Sequence, residues 1–135
     1  MNKRLSEIEH HMNSLGYTRK DIVDREVIMV AFKHESEHTI FFISERNTET
    51  TPLQAQARFF SEQGLVSADS EALREMNRKL IITTVEYGEL KGKCEVTLRS
   101  HYTGVFEKEA FDIWLRVFKG EVEEVLNDAN FRKFF

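Results

Sequence analysis

Proline and cysteine each occur once among the 135 residues, and glycine only six times. The lone cysteine, Cys94, has no second thiol to pair with. That excludes an intramolecular disulfide and every multi-cysteine zinc ribbon, and it fits a reducing compartment. The low proline and glycine content, with 41% hydrophobic and 31% charged residues, excludes a disordered or low-complexity chain. Long apolar runs are also missing. The longest, Val27 to Phe32, is six residues, against the roughly twenty that a bilayer-spanning helix needs. A basic excess is missing too: 19 Lys and Arg face 23 Asp and Glu, for a net charge of −4. Binding along a phosphate backbone relies on clustered cations, so the expected partner is a protein or a small ligand, with no nucleic acid and no membrane. In the opening M-N-K-R-L-S-E-I-E-H-H-M, Glu7, Glu9 and two histidines interrupt any apolar core. A signal peptide needs one, so the expectation is a cytoplasmic protein.

Aromatic residues are what the chain has in quantity, with eleven phenylalanines. A chain of this length predicts a single domain, 1–135, able to enclose a core without staples. Leu5, Ile8, Met12 and Leu15 recur at steps of three and four, the spacing of one helix face, and Gly16 stands where a left-handed cap ends such a helix. Val27–Phe32 and Thr39–Ile43 are short, β-branched and aromatic, and a six-residue polar link joins them as a β-hairpin. Residues 51–64 carry two patterns. Thr51, Pro52, Gln54 and Gly64 spell helix caps, whereas Leu53, Ala55, Ala57 and Phe59 alternate with Gln54, Gln56 and Arg58 as in a strand. A helix is expected from about Ser67 to Leu80, with Ala72, Leu73, Met76 and Leu80 on one side, followed by a strand in I-I-T-T-V-E-Y. Gly88 and Gly92 frame a turn, after which Cys94, Val96, Leu98 and Tyr102 alternate with Glu95, Thr97, Arg99 and His101. From about Phe106, a long helix aligns Phe111, Trp114, Phe118, Val122, Val125 and Ala129, with Ala110, Ile113, Val117 and Leu126 widening the stripe and Gly120 in its midst.

The hairpin link contains a literal H-E-x-x-H: His34, Glu35 and His38. In a zinc metallopeptidase the two histidines must lie one helical turn apart, so that both rings reach one ion while the glutamate activates its water. Here the flanks have strand composition. His34 and His38 are therefore the metal candidates, but the simpler reading is a solvated turn between strands. His10 and His11 are adjacent on a helix and point in different directions. Cys94 falls on the apolar side of its strand and reads as a buried thiol. Gly88 and Gly92 lack the lysine and the strand-to-helix setting of a phosphate loop. No cofactor is implied. At the carboxyl end, Phe131, Phe134 and Phe135 put three aromatic rings into the last five residues. They form either a contact surface or a flap over the domain's own core.

Three stretches carry a resemblance to a known family: E-A-L-R-E-M-N-R-K-L-I-I-T-T-V-E-Y-G, then K-C-E-V-T-L-R-S, then V-F-E-K-E-A-F-D-I-W-L-R-V-F. A helix with an asparagine near its end runs into a strand, a turn, an apolar strand and a closing helix with an acidic start. Over residues 22–126 this resembles the YbjN family, whose fold is similar to that of class I type III secretion chaperones. The resemblance implies an α+β domain of order α-β-β-β-α-β-β-α, with an antiparallel sheet packed against helices on one face, and it places L-Q-A-Q-A-R-F as the third strand. It also implies a noncatalytic protein-binding module, chaperone or regulator, acting as a homodimer. Phe111, Trp114 and Phe118 would then face either the core or a twin subunit, and with Phe131, Phe134 and Phe135 they form the candidate partner surface. The alternatives are a small metal-dependent hydrolase built on the HESEH segment and a small-ligand sensor using a cleft between sheet and helices.

Overall fold

The computed structural model describes residues 3–45, 51–61, 70–90 and 93–128. In chain order the elements are α1 (Lys3–Ser14), β1 (Thr18–Asp24), β2 (Val27–Lys33), β3 (Thr39–Ser44), β4 (Leu53–Ser61), α2 (Ser70–Lys79), β5 (Thr84–Leu90), β6 (Lys93–Tyr102) and α3 (Lys108–Asn127). The six strands form one antiparallel sheet in the order β1-β2-β3-β4-β6-β5. Residues 53–61 are thus a strand, as the period-two alternation and the resemblance required, and the helix-cap signals around Thr51 and Pro52 were coincidental. Two compact units can be distinguished: Met1–Gln56 with His101–Trp114, and Ala57–Ser100 with Leu115–Phe135. Strands β4 and β6 and helix α3 each contribute to both.

The architecture is α+β as expected, but four strands separate the first two helices where three were expected. The addition is β1, T-R-K-D-I-V-D, which pairs along its whole length with β2 from Thr18↔Lys33 to Asp24↔Val27. Its sequence shows no apolar alternation because it lies at the sheet edge, where polar side chains reach water on both faces. The turn that follows it gives no composition signal either. Arg25 (φ 47°) and Glu26 (φ 68°) both take the left-handed conformation that such two-residue turns require and that Asn-Gly normally supplies.

The end of α1 follows from Gly16, at φ 91°. Tyr17 N–H donates to Met12 O at 2.9 Å and Gly16 N–H to Asn13 O at 3.1 Å, the paired bonds of a Schellman cap. An added Cβ on Gly16 would lie 2.8 Å from His34 Nε2, so this glycine is required both for its conformation and for space. Leu5, Ile8 and Met12 are buried, but Leu15, the last residue before the cap, is 39% exposed, and Arg4 and His11 take inward places instead.

In the first unit, the cross-strand pairs Phe32↔Phe41 and Val30↔Ile43 are fully enclosed. Rings from α1's end and α3 pack on this face: Tyr17 lies 5.2 Å from Phe41, and Trp114 6.0 Å from it. In the second unit, β5 starts only at Thr84, so the expected strand loses Ile81, Ile82 and Thr83. The reason is a buried carboxylate. Glu121 of α3 accepts hydrogen bonds from Ile81 N–H (2.6 Å), Ile82 N–H (3.0 Å) and the Thr83 hydroxyl (2.8 Å), so two backbone donors that a ladder would otherwise use are taken. Asn77, near the end of α2, pairs with β5 as a strand residue would: its amide donates to Val85 O (3.1 Å) and accepts from Val85 N–H (2.8 Å).

Helix α3 runs unbroken through Gly120, whose Cβ position is open space. Gly120→Ala is expected to stabilise the chain by about 1 kcal/mol, raising Tm by roughly 4 °C, since alanine loses less backbone freedom in a helix. A lower melting temperature would show that the helix needs the glycine.

Candidate functional site

The H-E-x-x-H residues lie in the link between β2 and β3, outside any helix. The one-turn separation that lets two imidazoles share an ion is therefore absent, and among the described residues no cluster of three or more His, Cys, Asp or Glu side chains could hold a metal. The two histidines have separate surroundings. His38 is exposed, while His34 is half-buried with its ring 5.1 Å from Tyr17. His34 Nδ1 accepts from Ser36 N–H (3.1 Å) and lies 3.0 Å from the Ser36 hydroxyl, so Ser36 orients the ring within the turn. Tyr17 is 2% exposed, and burial, reinforced by the charge of Glu37, pushes its phenol up to about 12. His34 thus helps close the α1 cap and the hairpin.

Of the candidate partner residues, Phe111 and Phe118 are fully enclosed and Trp114 is 9% exposed, all within the chain's own core. They do not form an open docking surface. The physical reason is the width of the α3 stripe: Phe111, Trp114, Leu115, Phe118 and Val125 all turn inward, while Ile113, expected to widen it, stays 54% exposed. Phe131, Phe134 and Phe135 lie outside the described residues.

Sequence reasoning missed two buried polar groups on α1. His11, 5% exposed, sits between the rings of Phe106 (5.8 Å) and Phe111 (5.4 Å), with its Nε2 2.6 Å from Asp112 Oδ1. Arg4, 7% exposed, donates from Nε to Gly104 O and from Nη1 to Thr51 O, each at 2.8 Å, and burial lowers its pKa from the usual guanidinium value. The available signal was spacing. Arg4, Ile8 and His11 step by four and three along the same face as Leu5 and Met12. Outside these two residues, α1 and the segment before α3 frame adjoining grooves. One of about 290 Å³ is lined by Lys3, Arg4, Glu7, Val105 and Phe106. The other, about 440 Å³, is lined by residues that include His10, His11, Glu107 and Lys108. Tyr102 shapes this segment: its hydroxyl lies 3.1 Å from Val105 O and accepts from Glu107 N–H at 3.1 Å, at the start of α3.

Among the described residues, the other face of the first unit's sheet carries no such packing. The register Ile22↔Met29 and Ala31↔Phe42 puts Ile22, Met29, Ala31, Ile40 and Phe42 on the side opposite Phe32 and Phe41. Ala31 is enclosed, but Met29, Ile40 and Phe42 are half-buried and Ile22 is 37% exposed. Beside them runs a polar chain in which Gln56 donates to Gln54, whose amide nitrogen lies 3.0 Å from His101 Nε2. This face offers apolar area bordered by hydrogen-bonding groups.

The chain is similar in structure to YbjN from E. coli, known from a crystal structure and provisionally assigned as a transcription regulator. The TM-score is 0.57, with 13% sequence identity over 96% of this chain and 93% of that one. Such a likeness establishes the fold. No protein-family model matches the chain, and no curated protein matches it. Among the described residues, no helix is long and apolar enough to cross a membrane.

Proposed function

We propose that this chain is a noncatalytic regulatory module of YbjN type, cytoplasmic and homodimeric, that engages a protein partner through the uncovered face of its sheet. The observation that carries the reading is the set of Ile22, Met29, Ile40 and Phe42, side chains left partly exposed on a face away from the helices. The YbjN likeness supports a regulatory role, and the net charge of −4 favours exercising it through protein contacts over phosphate-backbone binding. Binding of a secretion-chaperone type of client falls under the same reading. The noncatalytic part is supported by the engagement of the titratable groups: His11 with Asp112, His34 with Ser36, and Glu121 with residues 81–83.

The test is affinity capture from host lysate with the wild type and with Phe42→Ser, read by mass spectrometry. One dominant protein should be retained by the wild type and lost by the variant, with the circular dichroism spectra of the two proteins alike. Equal retention by both would remove the sheet face from the proposal. A second reading, a small-ligand sensor, is favoured by the grooves beside α1, which combine Phe106 with Lys3, His10, Glu107 and Lys108. Thermal-shift screening distinguishes it, because a ligand held there raises Tm without any partner protein.

A further inference from the structure

The two edges of the sheet are finished differently. At β5, the side chain of Asn77 occupies the backbone groups of Val85. At the other end, among the described residues, β1 pairs with β2 alone, and the seven residues Thr18–Asp24 present an edge with Ile22 37% and Val23 71% exposed. An uncovered edge is a template for another strand, and natural sheets blunt one with charged side chains, lysine especially, or with proline. β1 has no proline, and its charges are of both signs. Its first half is basic (Arg19, Lys20) and its second half acidic (Asp21, Asp24), so two copies laid antiparallel bring opposite charges together. Arg19 is already engaged by Asp21 (2.8 Å) and Glu9 (3.0 Å), which leaves Lys20, an exposed residue, as the charge available at the edge.

We propose that β1 pairs with β1 of a second copy, antiparallel and in the register that sets Ile22 opposite Ile22 on the two-fold axis. The register follows from parity and charge. Outward backbone groups alternate along a strand, so the axis must pass through a residue position. An axis at Asp21 would pair the whole strand but oppose two carboxylates and leave Lys20 facing isoleucine, a destabilising arrangement. An axis at Ile22 pairs residues 20–24 only, with Lys20 opposite Asp24 twice and Asp21 opposite Val23, and it leaves Arg19, engaged by Asp21 and Glu9, beyond the paired segment beside the turn. Because Ile22 pairs with Met29 within each copy, the apolar strip of the uncovered face then continues from one copy into the other. This pairing rests on the homodimeric part of the proposed function and supplies its surface.

Sedimentation equilibrium should give the wild type a mass near twice the 15.9 kDa of the chain. Ile22→Lys, which sets two like charges on the axis, should weaken association by at least about tenfold while leaving the circular dichroism spectrum unchanged, since Ile22 is already exposed. Under mild oxidation Ile22→Cys should give a disulfide-linked dimer. Lys20→Cys should not, because its two copies would stand roughly 13 Å apart along the strands. The unmodified protein, which retains Cys94, is the control. Restored dimerisation in Lys20→Asp combined with Asp24→Lys, after its loss in Lys20→Asp alone, would support the charge pairing. A monomeric wild type, or cross-linking of Lys20→Cys as efficient as that of Ile22→Cys, overturns this pairing. Either result leaves partner capture by the uncovered face to be judged by its own assay.

Discussion

Phe111→Ala should cost about 4 kcal/mol of stability, enough to leave the chain marginally folded at room temperature. The side chain is fully enclosed, and four rings surround it with centroids 5.4–5.5 Å away: His11, Tyr102, Phe106 and Trp114. Removing it takes away a large transfer contribution and leaves a cavity that these rings cannot readily close, because two of them are held elsewhere. Tyr102 is hydrogen-bonded at the start of α3, and His11 is paired with Asp112. Urea denaturation measures the loss. Phe111→Leu should lose much less, because most of the volume remains. If Phe111→Ala instead lost under about 1 kcal/mol, the residue would not be core, and a partner-facing role for this part of α3 would have to be reconsidered.

Glu121→Ala should lose about 3 kcal/mol, more than any single exposed ion pair in the protein would. The carboxylate is 6% exposed and holds two backbone N–H groups and one hydroxyl of residues 81–83. Alanine would leave all three donors without that acceptor. The loss stays below the sum of three charged hydrogen bonds because Ile81, whose side chain is 86% exposed, can turn its N–H to water. Glu121→Gln keeps one acceptor oxygen and should fall between wild type and alanine. Hydrogen exchange gives the local readout: the amides of Ile81 and Ile82 should exchange faster in both variants. Unchanged exchange at these two positions in Glu121→Ala would mean that the loop is held by other means.

The legibility of each element followed its burial. Helices α1 and α3 and strands β2 and β3 carry apolar residues at their own periods, since their inner faces must be apolar to pack. β4 was ambiguous because Thr51 and Pro52 fit a helix start as well as an irregular entry to a strand. β1 was invisible because an edge strand with both faces in water needs no apolar alternation. The metal motif shows the converse. His34, Glu35 and His38 have the right order, but chelation is a property of three-dimensional spacing, and a turn between strands does not supply it.

The single thiol, the capped first helix, the β2–β3 hairpin and the aromatic closing helix were legible in the chain, because side-chain periodicity and turn chemistry are local properties. That His11, Arg4 and Glu121 turn inward, that Phe111, Trp114 and Phe118 are core, and that β1 lies at the edge of the sheet became visible in the folded chain. Those outcomes depend on which groups meet across the fold. A buried charge is tolerated only where distant partners such as Asp112, Gly104 or Ile81 stand ready to bond it, and no stretch of neighbouring residues specifies that meeting.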